Sequence, residues 1–449
     1  MMNNDSLQSL RTFLNINWDP VSILSSSSRD PSLPKIILDR RETLGWSFIP
    51  WRIDSVVEDD GYGHSKCALF SHRGCRTEAK DILRKMAIPG KSFQTPPSVI
   101  VPPFSNGYVL LLPFEWGEHF QPSGSPHTSS GIPLILADCP EVISYHHDSR
   151  TLFLPPSCPD PPFPNPRPDR NPPAPITLHP SLSFEEYSAR LGLIRESIGK
   201  GDYFQLNFAI TFEGSVEREI DFLSLYGSLS RINPSPGMGY FSWEGTTVVS
   251  NSPERLATIR NGAIITTPIA GTFPYTEGEE DPHSLFLSDP KEKAEHIMTV
   301  DLLRNDLGRI CEPGSIKISR LLSIERYTHL YHLVSDIQGT LRPSLSTWEL
   351  LSAIFPGGSV TGAPKTAVRK AIGMLEEKRR GYYCGSLGFL DRSGFWDLNL
   401  LIRTLFITGN RLILPIGSGI VADSDPEREY REIQVKARTF LDRLRNARE

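Results

Sequence analysis

Apolar residues along the chain follow two periods, one typical of strands and one typical of helices. In the first 150 or so residues, short apolar runs bounded by Gly, Pro and charged residues predict strands, namely PKIILDR, WSFIPWRI, SVIVPPF, GYVLLLPF and PLILAD. Beyond residue 200 the same pattern predicts strands in FQLNFAITFEG, GMGYFSWEG, TTVVSNSPERLATIR, GAIITTPIAGTF and KISRLLSIERYTHLYHLVSDIQGTL. Two later runs, YYCGSLGFLDRSG and FWDLNLLIRTLFITGN, predict a hairpin.

Helical periodicity is present in several other segments. One helix is predicted within residues 77–87, and another begins at Ser183, where Glu186 completes a capping box, and stops at Gly199. A third lies in DPKEKAEHIMTVDLLRNDLG, and a fourth begins after Pro364. The chain therefore alternates runs of strands with single helices.

The helix that follows Asp289 carries polar residues on one face. At about 100° per residue, Glu292, Glu295 and Thr299 share that face. The opposite face is predicted to be core and consists of Ala294, Ile297 and Met298. The same buried side is predicted to include Asp301, Arg304 and Asn305 farther along the helix. Polar side chains are tolerated in a buried position only when they pair with one another or with the backbone.

The last helix carries a second pair of glutamates. Asp425 is a suitable N-cap and Pro426 a suitable first helical residue. Glu429 and Glu432 stand three residues apart beside the predicted core stripe. That stripe consists of Tyr430, Ile433, Ala437, Phe440, Leu441 and Leu444. Two helices thus carry carboxylates at the same spacing.

Paired carboxylates repel unless a cation lies between them, and oxygen ligands suit Mg²⁺. Most glutamate pairs at this spacing lie on the solvated surface, so the hypothesis of a Mg²⁺ site needs support from other residues. Arg403 lies in an apolar run, where a guanidinium must be paired or face a cleft. Two glycine-rich stretches, PGGSVTGAPK and a predicted loop at 417–419, offer backbone groups to an anion. Together these features predict a site for Mg²⁺ and an organic anion.

The glycine-rich stretch PGGSVTGAPK is similar to a nucleotide-binding phosphate loop but lacks its chemistry. Ala363 and Pro364 stand where such a loop has Lys and Ser/Thr, so a nucleotide is not expected.

Composition narrows the class of protein. Of the 449 residues, 39% are hydrophobic and 22% charged, which is typical of a globular protein. The net charge of −5 gives no basic field for nucleic acid or anionic lipid. The six cysteines show no zinc-ligand spacing, and no signal peptide or membrane span is apparent. We therefore expect a cytoplasmic protein with a small-molecule partner, no nucleic acid and no membrane.

A proline-rich stretch divides the chain. PPSCPDPPFPNPRPDRNPPAP is too dense in proline for a helix or an interior strand and is typical of an exposed connector. The predicted organisation is an N-terminal domain over 1–154, a linker over 155–182 and a catalytic domain over 183–449.

Six motifs in order resemble those of the chorismate-utilising enzymes, the family of anthranilate synthase component I, aminodeoxychorismate synthase component I and isochorismate synthase. They are SPER, PIAGT, KAEHIMTVDLLRNDLGR, PGGSVTGAPK, IRTL and GSGIVADSDPEREY. The resemblance covers roughly residues 183–445, with a looser likeness in the first 150. It implies an α+β fold with two large, mainly antiparallel sheets packed orthogonally and helices outside.

The resemblance also implies residue roles. The Mg²⁺ carboxylates would be Glu292, Glu295, Glu429 and Glu432, with Glu295 and Glu432 as direct ligands. Groups that hold the substrate carboxylates would be Arg403, Tyr383, Lys436 and the backbone of Gly417, Ser418 and Gly419. Glu254 would be the general acid for the departing C4 hydroxyl, a role that needs a carboxyl protonated near neutrality. His332, rather than His329, would lie beside the ring, and Thr272 would contact substrate nearby.

Two positions bear on the reaction. Gln205 stands where water-using isochorismate synthases have a lysine base, so an aminating enzyme is expected. DLLRND with Leu303, FQLN with Asn207, PGGSVTGAPK and the lack of an LLES-type motif favour aminodeoxychorismate synthase, an enzyme of para-aminobenzoate and folate synthesis. Ala270 replaces the nucleophilic lysine of many such enzymes, as it does in anthranilate synthase, which is the alternative.

Nitrogen would come from ammonia, since no GxCxG elbow of a glutaminase is present. A separate glutamine amidotransferase subunit is therefore the expected partner. A non-catalytic relative of the family is the third hypothesis. The joint presence of the four glutamates, Arg403, His332 and Lys436 argues against it.

Overall fold

A computed structural model describes residues 10–14, 20–24, 32–62, 64–69, 78–88, 100–125, 131–160, 176–216, 220–274, 290–326 and 330–445. The strands are β1 (Arg11–Leu14), β2 (Lys35–Arg40), β3 (Trp46–Arg52), β4 (Ser55–Asp59), β5 (Ser65–Leu69), β6 (Gly107–Leu112), β7 (Leu134–Cys139), β8 (Glu141–His146), β9 (Thr151–Leu154), β10 (His179–Pro180), β11 (Gln205–Ser215), β12 (Gly237–Trp243), β13 (Thr246–Ser252), β14 (Arg255–Arg260), β15 (Ala263–Thr267), β16 (Ile269–Pro274), β17 (Lys317–Arg326), β18 (Leu330–Thr340), β19 (Gly362–Ala363), β20 (Ser386–Asp391), β21 (Trp396–Asn399), β22 (Thr404–Thr408) and β23 (Arg411–Ile420).

The helices vary from one turn to more than five. They are α1 (Pro20–Leu24), α2 (Arg41–Leu44), α3 (Ala79–Lys85), α4 (Gly117–Phe120), α5 (Phe184–Lys200), α6 (Phe222–Ile232), α7 (Pro290–Gly308), α8 (Thr347–Ile354), α9 (Lys365–Leu375) and α10 (Pro426–Arg445), with 3₁₀ turns at Phe114–Trp116 and Gly358–Val360. The capping box at Ser183 is present, and Gly201 in the left-handed conformation ends α5 just past the predicted stop. No helix among the described residues is long and apolar enough to cross a membrane.

The strands form two large antiparallel sheets, which confirms the predicted α+β class. The first sheet has the order β1-β9-β8-β3-β2-β12-β13-β22-β23-β11-β10, with β19 beside β11. The second has the order β16-β18-β15-β14-β21-β20-β6-β7-β4-β5, with β17 beside β18. Strands from before and after the proline-rich stretch pair in both sheets, at β2–β12 and at β6–β20. The division into two domains stays a prediction.

Two of the points where the chain crosses between the two sheets lie side by side. TTVVSNSPERLATIR, where strand structure with Glu254 near a strand end is predicted, divides at Pro253 and Glu254 into β13 of the first sheet and β14 of the second. FWDLNLLIRTLF is broken at residues 400–403 into β21 and β22. Proline has no N–H for the ladder, and Arg403 has a positive φ of 47°, so neither segment continues its strand. Backbone bonds join the crossings, from Leu400 N to Glu254 O (3.0 Å) and from Asn251 N to Arg403 O (3.1 Å).

The face of α7 that was predicted to be core is exposed, so that prediction is wrong. Ala294 is exposed and Ile297 is 40% exposed, while Met298 is half-buried. The side chains of Asp301 and Arg304 are 63% and 52% exposed and pair with each other, and Asn305 is also exposed. The buried residues of the helix are His296, Thr299, Val300, Leu303, Asp306 and Leu307. The helix is therefore turned so that its glutamate face looks inward.

Candidate active site

A cavity of about 150 Å³ lies where the two crossings meet helices α7 and α10. Of the site residues predicted from the sequence, Ser418 does not line it and the side chain of Thr272 lies outside the described residues. The predicted residues that line it are Gln205, Glu254, Ala270, Glu292, Glu295, His332, Tyr383, Arg403, Gly417, Gly419, Glu429, Glu432 and Lys436. The first and last of these residues, Gln205 and Lys436, are more than 230 positions apart in the chain. The fold thus brings the predicted residues together, whereas their roles stay predictions.

Glu254 occupies the first crossing and is only 5% exposed. Its backbone N–H donates to Ser252 Oγ (3.2 Å), and its Oε1 accepts a hydrogen bond from Ser359 Oγ (2.6 Å). Burial raises the pKa of Glu254 to about 7, although the Ser359 hydroxyl and the charges of Arg403 and Lys436 oppose the shift. A carboxyl with this pKa is partly protonated at neutral pH, as a general acid requires.

Two cations face the acid from different elements. Arg403 comes from the second crossing, and its charge lowers the pKa of both Glu254 and His332. Lys436 comes from α10, donates from Nζ to the carbonyl of Gly417 (3.1 Å) and pairs with Glu432 (2.6 Å). The cavity therefore combines positive groups suited to carboxylates with a carboxyl that burial keeps partly neutral.

His332 projects from β18 and is nearly fully buried. Burial, with a smaller contribution from Arg403, lowers its pKa to about 3, so the ring is neutral at physiological pH. Its Nδ1 lies 3.1 Å from the carbonyl oxygen of Gly271. Because a carbonyl only accepts, Nδ1 carries the proton and Nε2 keeps the lone pair. Thr272 lies opposite His332 in the β16–β18 register, while its side chain and the whole of His329 lie outside the described residues.

The Gly417–Gly419 segment is not a loop but part of β23, paired with Asn207, Phe208 and Ala209 of β11. A Cβ at Gly417 would lie 2.6 Å from Asn207 Oδ1, and one at Gly419 would lie 2.6 Å from Gln205 Nε2. The glycines are thus required by close packing against cavity residues. Ser418 points the other way, with its Oγ 3.3 Å from the Tyr187 hydroxyl, so only its backbone could serve a ligand.

Glutamates of α7 and α10 line the same cavity from two sides. At the edge of the site, Arg428 of α10 donates to Glu292 of α7 at 3.3 Å. Glu429 is 3% exposed, and Gly419 brings β23 close to Glu295. The pairs are not the solvated surface that glutamates at this spacing usually form.

The donor set is compatible with Mg²⁺. In the described part of the chain, no three His, Cys, Asp or Glu side chains converge on one point. Mg²⁺ is usually held by one or two carboxylates, with water and substrate oxygens completing its octahedron. Carboxylates from two facing helices can supply that number without a dedicated cage.

Tyr383, Gln205 and Ala270 complete the wall. Burial raises the pKa of Tyr383 well above its ordinary value, so its hydroxyl stays protonated and can donate. Gln205 begins β11, and Ala270 lies in β16 one residue before Gly271, the partner of His332. Both face the cavity.

Ser359 is a site residue to which the sequence analysis gave no role. It lies in the Gly358–Val360 turn and holds the Glu254 carboxyl. Ser359 belongs to the stretch PGGSVTGAPK, which the sequence indicated as a possible anion site. The sequence did not indicate that the serine in this stretch would contact Glu254, more than 100 residues earlier in the chain.

The profile of one protein family, described as chorismate binding enzyme, matches residues 37–442. The chain belongs to this family. Its resemblance to these enzymes is therefore confirmed, over nearly the whole chain rather than from residue 183 alone.

Relatives within the family bear more than one name. An "Anthranilate synthase component I-like protein" of Synechocystis sp. is 41% identical over 270 residues, 60% of this chain and 56% of that protein. "Aminodeoxychorismate synthase component 1" of Bacillus subtilis is 37% identical over 254 residues, 56% of this chain and 54% of that protein. The chain thus spans just over half the length of these relatives.

A solved structure reproduces the fold. Anthranilate synthase component I from Streptococcus pneumoniae superposes with a TM-score of 0.75 at 25% identity, covering 88% of this chain and 92% of that one. The family and the fold are therefore established together.

Proposed function

We propose that the chain is an enzyme that binds chorismate and replaces its C4 hydroxyl with an amino group from ammonia, giving 4-amino-4-deoxychorismate. The observation that carries this proposal is a single cavity in which Glu254, with a pKa of about 7, faces Arg403 and Lys436. Chorismate carries two carboxylates and a hydroxyl that must leave, and these three residues match those needs.

Glu254 would act at the leaving group. In its protonated form it gives its proton to the C4 hydroxyl as the C–O bond breaks, so that water departs rather than hydroxide. The resulting carboxylate then accepts a proton from the newly bound nitrogen. Ser359 keeps Oε1 fixed by its hydrogen bond and leaves the other oxygen to act on the substrate.

Arg403, Tyr383 and Lys436 would hold the substrate carboxylates. The guanidinium suits a carboxylate through its two-pronged donor geometry, and the protonated tyrosine adds a neutral donor. Glu295 and Glu432, with Glu292 and Glu429 beside them, would hold Mg²⁺, which when bound neutralises the repulsion between the ring carboxylate and the acidic wall. His332 would contact the ring as a neutral acceptor through Nε2.

Ammonia is the proposed nucleophile because Gln205 faces the cavity where a base for water would be needed. A glutamine side chain cannot accept a proton from water, whereas ammonia attacks without a base. We propose that a separate glutamine amidotransferase subunit supplies the ammonia. The chain alone should use ammonium salts and not glutamine.

Anthranilate synthesis is the second candidate, and Ala270 favours it. Without a lysine at this position no covalent enzyme adduct can form at C2, and direct addition of ammonia at C2 leads toward anthranilate and pyruvate. The names of several relatives point the same way. The two products distinguish the candidates.

The test is incubation of the chain with chorismate, Mg²⁺ and ammonium at mildly alkaline pH, with products separated by chromatography. We expect 4-amino-4-deoxychorismate, no adduct detectable by borohydride trapping or mass spectrometry, and pyruvate only after a separate lyase is added. Fluorescent anthranilate with an equal amount of pyruvate before the lyase is added would establish the second candidate. No turnover of chorismate would leave only a binding role.

The role of Glu254 has its own test in the pH profile. Because the acid works when protonated, kcat/KM expressed per free ammonia should fall about tenfold per unit as the pH rises above about 7. Glu254→Gln should lower turnover by about 100-fold or more and remove this limb. If the fall in kcat/KM at high pH persists in the variant, it is due to the titration of another group.

A further inference from the structure

The cavity that joins the predicted site residues is not the largest one. A second cavity, of about 420 Å³, lies between β11, β22 and β23 on one side and segment 376–383 on the other. Its volume is within the range of about 300–1,000 Å³ that holds small organic ligands. Of the residues that line it, only Tyr383 has a role proposed above.

The second cavity has an apolar floor. Leu182 and Ile210 are 5% and 2% exposed, and Ile413 and Phe406 extend the same surface between the strands. A surface of this kind favours binding of the ring or alkyl part of a ligand, because removing apolar surface from water stabilises the complex.

The rim of the second cavity carries a surplus of positive charge. Among the described residues that line it, five are Arg or Lys and three are Glu. Lys378 and Arg411 share one carboxylate, Glu213, and keep side chains that are 49% and 59% exposed. Arg379 lines the cavity with no ion pair or hydrogen bond to any described residue. These cations are available to an anionic group.

The buried part of the wall is fixed. Arg380 forms a bidentate pair with Glu376, donates to the carbonyls of Val360 and Asn207, and lies over the ring of Tyr383 at 5.5 Å. Segment 376–383 is thereby held in place before any ligand arrives, which lowers the entropic cost of binding.

We propose that this second cavity is a binding site for a small amphipathic carboxylate, with its apolar part on the floor and its charge beside Arg379 and Arg411. Tyr383 and Pro415 line both cavities, so such a ligand contacts a wall of the catalytic cavity. The ligand would therefore pack against the residue that is proposed to hold a substrate carboxylate.

The test uses 1-naphthoate as the probe and 1-naphthalenemethanol as its uncharged counterpart, with binding measured by titration calorimetry on the full chain. We expect naphthoate to bind with one-to-one stoichiometry and the alcohol to bind more weakly. Replacing both Arg379 and Arg411 with Ala should weaken naphthoate binding about tenfold and leave the alcohol unaffected, because only the anion loses charged donors. Arg431→Ala with Arg438→Ala, on exposed positions of α10, is the matched control and should change neither.

The Arg403→Ala variant shows which of the two cavities naphthoate occupies, because Arg403 lines only the catalytic one. Loss of binding in Arg403→Ala, but not in the Arg379 and Arg411 variant, would overturn the proposal. So would equal affinity for the anion and the alcohol, or an equal loss in the α10 control. Because calorimetry needs no turnover, the result does not depend on which reaction the chain catalyses.

Discussion

Helices α7 and α10 face the same cavity with the same pair of glutamates, yet the sequence predicted them with opposite success. In α10 the predicted stripe is correct, with Ile433, Ala437, Phe440 and Leu444 fully or almost fully buried. In α7 the predicted core face is exposed, and the inward side includes His296, which has no exposed surface.

The difference arises from what each helix buries. One side of α10 buries apolar residues and its outer face is charged, so the apolar periodicity indicates which face points inward. Apolar residues of α7 are distributed around the axis, and its inward face is partly occupied by Glu292, Glu295, His296 and Thr299. A helix that buries polar groups for a site cannot be oriented from apolar periodicity alone.

The largest expected effect tests whether the two glutamate pairs act as one unit. Glu295→Gln and Glu432→Gln should each reduce chorismate turnover by about 100-fold or more, because each removes a charged oxygen from the proposed Mg²⁺ site. The double variant should be little worse than either single variant, as shared functions are non-additive. The measurement is kcat/KM across a Mg²⁺ series.

Glu427→Gln, in the exposed first turn of α10, is the control for that experiment and should retain full activity. Mild losses that add in the double variant would mean that the two helices contribute separately.

Stability measurements would sharpen the orientation of the two helices. Ile433→Ala and Leu303→Ala should each cost about 2–5 kcal/mol of unfolding free energy, because both side chains are buried. Ile297→Ala, on the face predicted to be core, should cost less than about 0.5 kcal/mol. Denaturant titrations of the three variants give the comparison. A large loss at Ile297 would restore the orientation expected from the sequence.

The start of α10 should respond to its cap. Asp425 accepts from Arg428 N at 2.9 Å, so Asp425→Ala should cost about 1 kcal/mol in thermal or chemical unfolding. Asp423→Ala, exposed and outside the helix, serves as the control. Equal losses would show that charge near the helix start, rather than the cap, is responsible.

The smallest effect is expected at the bridge between the helices. The Arg428 side chain is 50% exposed where it meets Glu292, and exposed ion pairs contribute little. Arg428→Ala should cost no more than about 0.5 kcal/mol, and less at high salt. A loss that is larger and insensitive to salt would indicate that the bridge holds the helices in register.

Most strands and helices could be predicted from the sequence, because each depends on local periodicity and caps. The two crossings could not, since β13 and β14 form one continuous run of β-type residues on either side of Pro253. Nothing local indicates that the two halves of such a run belong to different sheets. The pairing of N-terminal with C-terminal strands is non-local for the same reason.

The candidate site residues were predicted through motif resemblance rather than through geometry. Glycines 417 and 419 suggested a loop, because the sequence does not show that Asn207 and Gln205 approach them from a neighbouring strand. The role of Ser359 depended on its meeting Glu254 across more than 100 residues. The pKa of Glu254 likewise results from burial, which only the fold determines.

The two adjacent crossings also limit how the proposed chemistry can change. Because backbone hydrogen bonds join them, Glu254 and Arg403 belong to one frame whose spacing is set by the backbone rather than by their side chains. Gln205 and Ala270 are outside that frame and face the same cavity. If Glu254 and Arg403 have the roles proposed above, selection for a different nucleophile or product can act on Gln205 and Ala270 while the frame stays in place, and laboratory evolution should begin at these two positions.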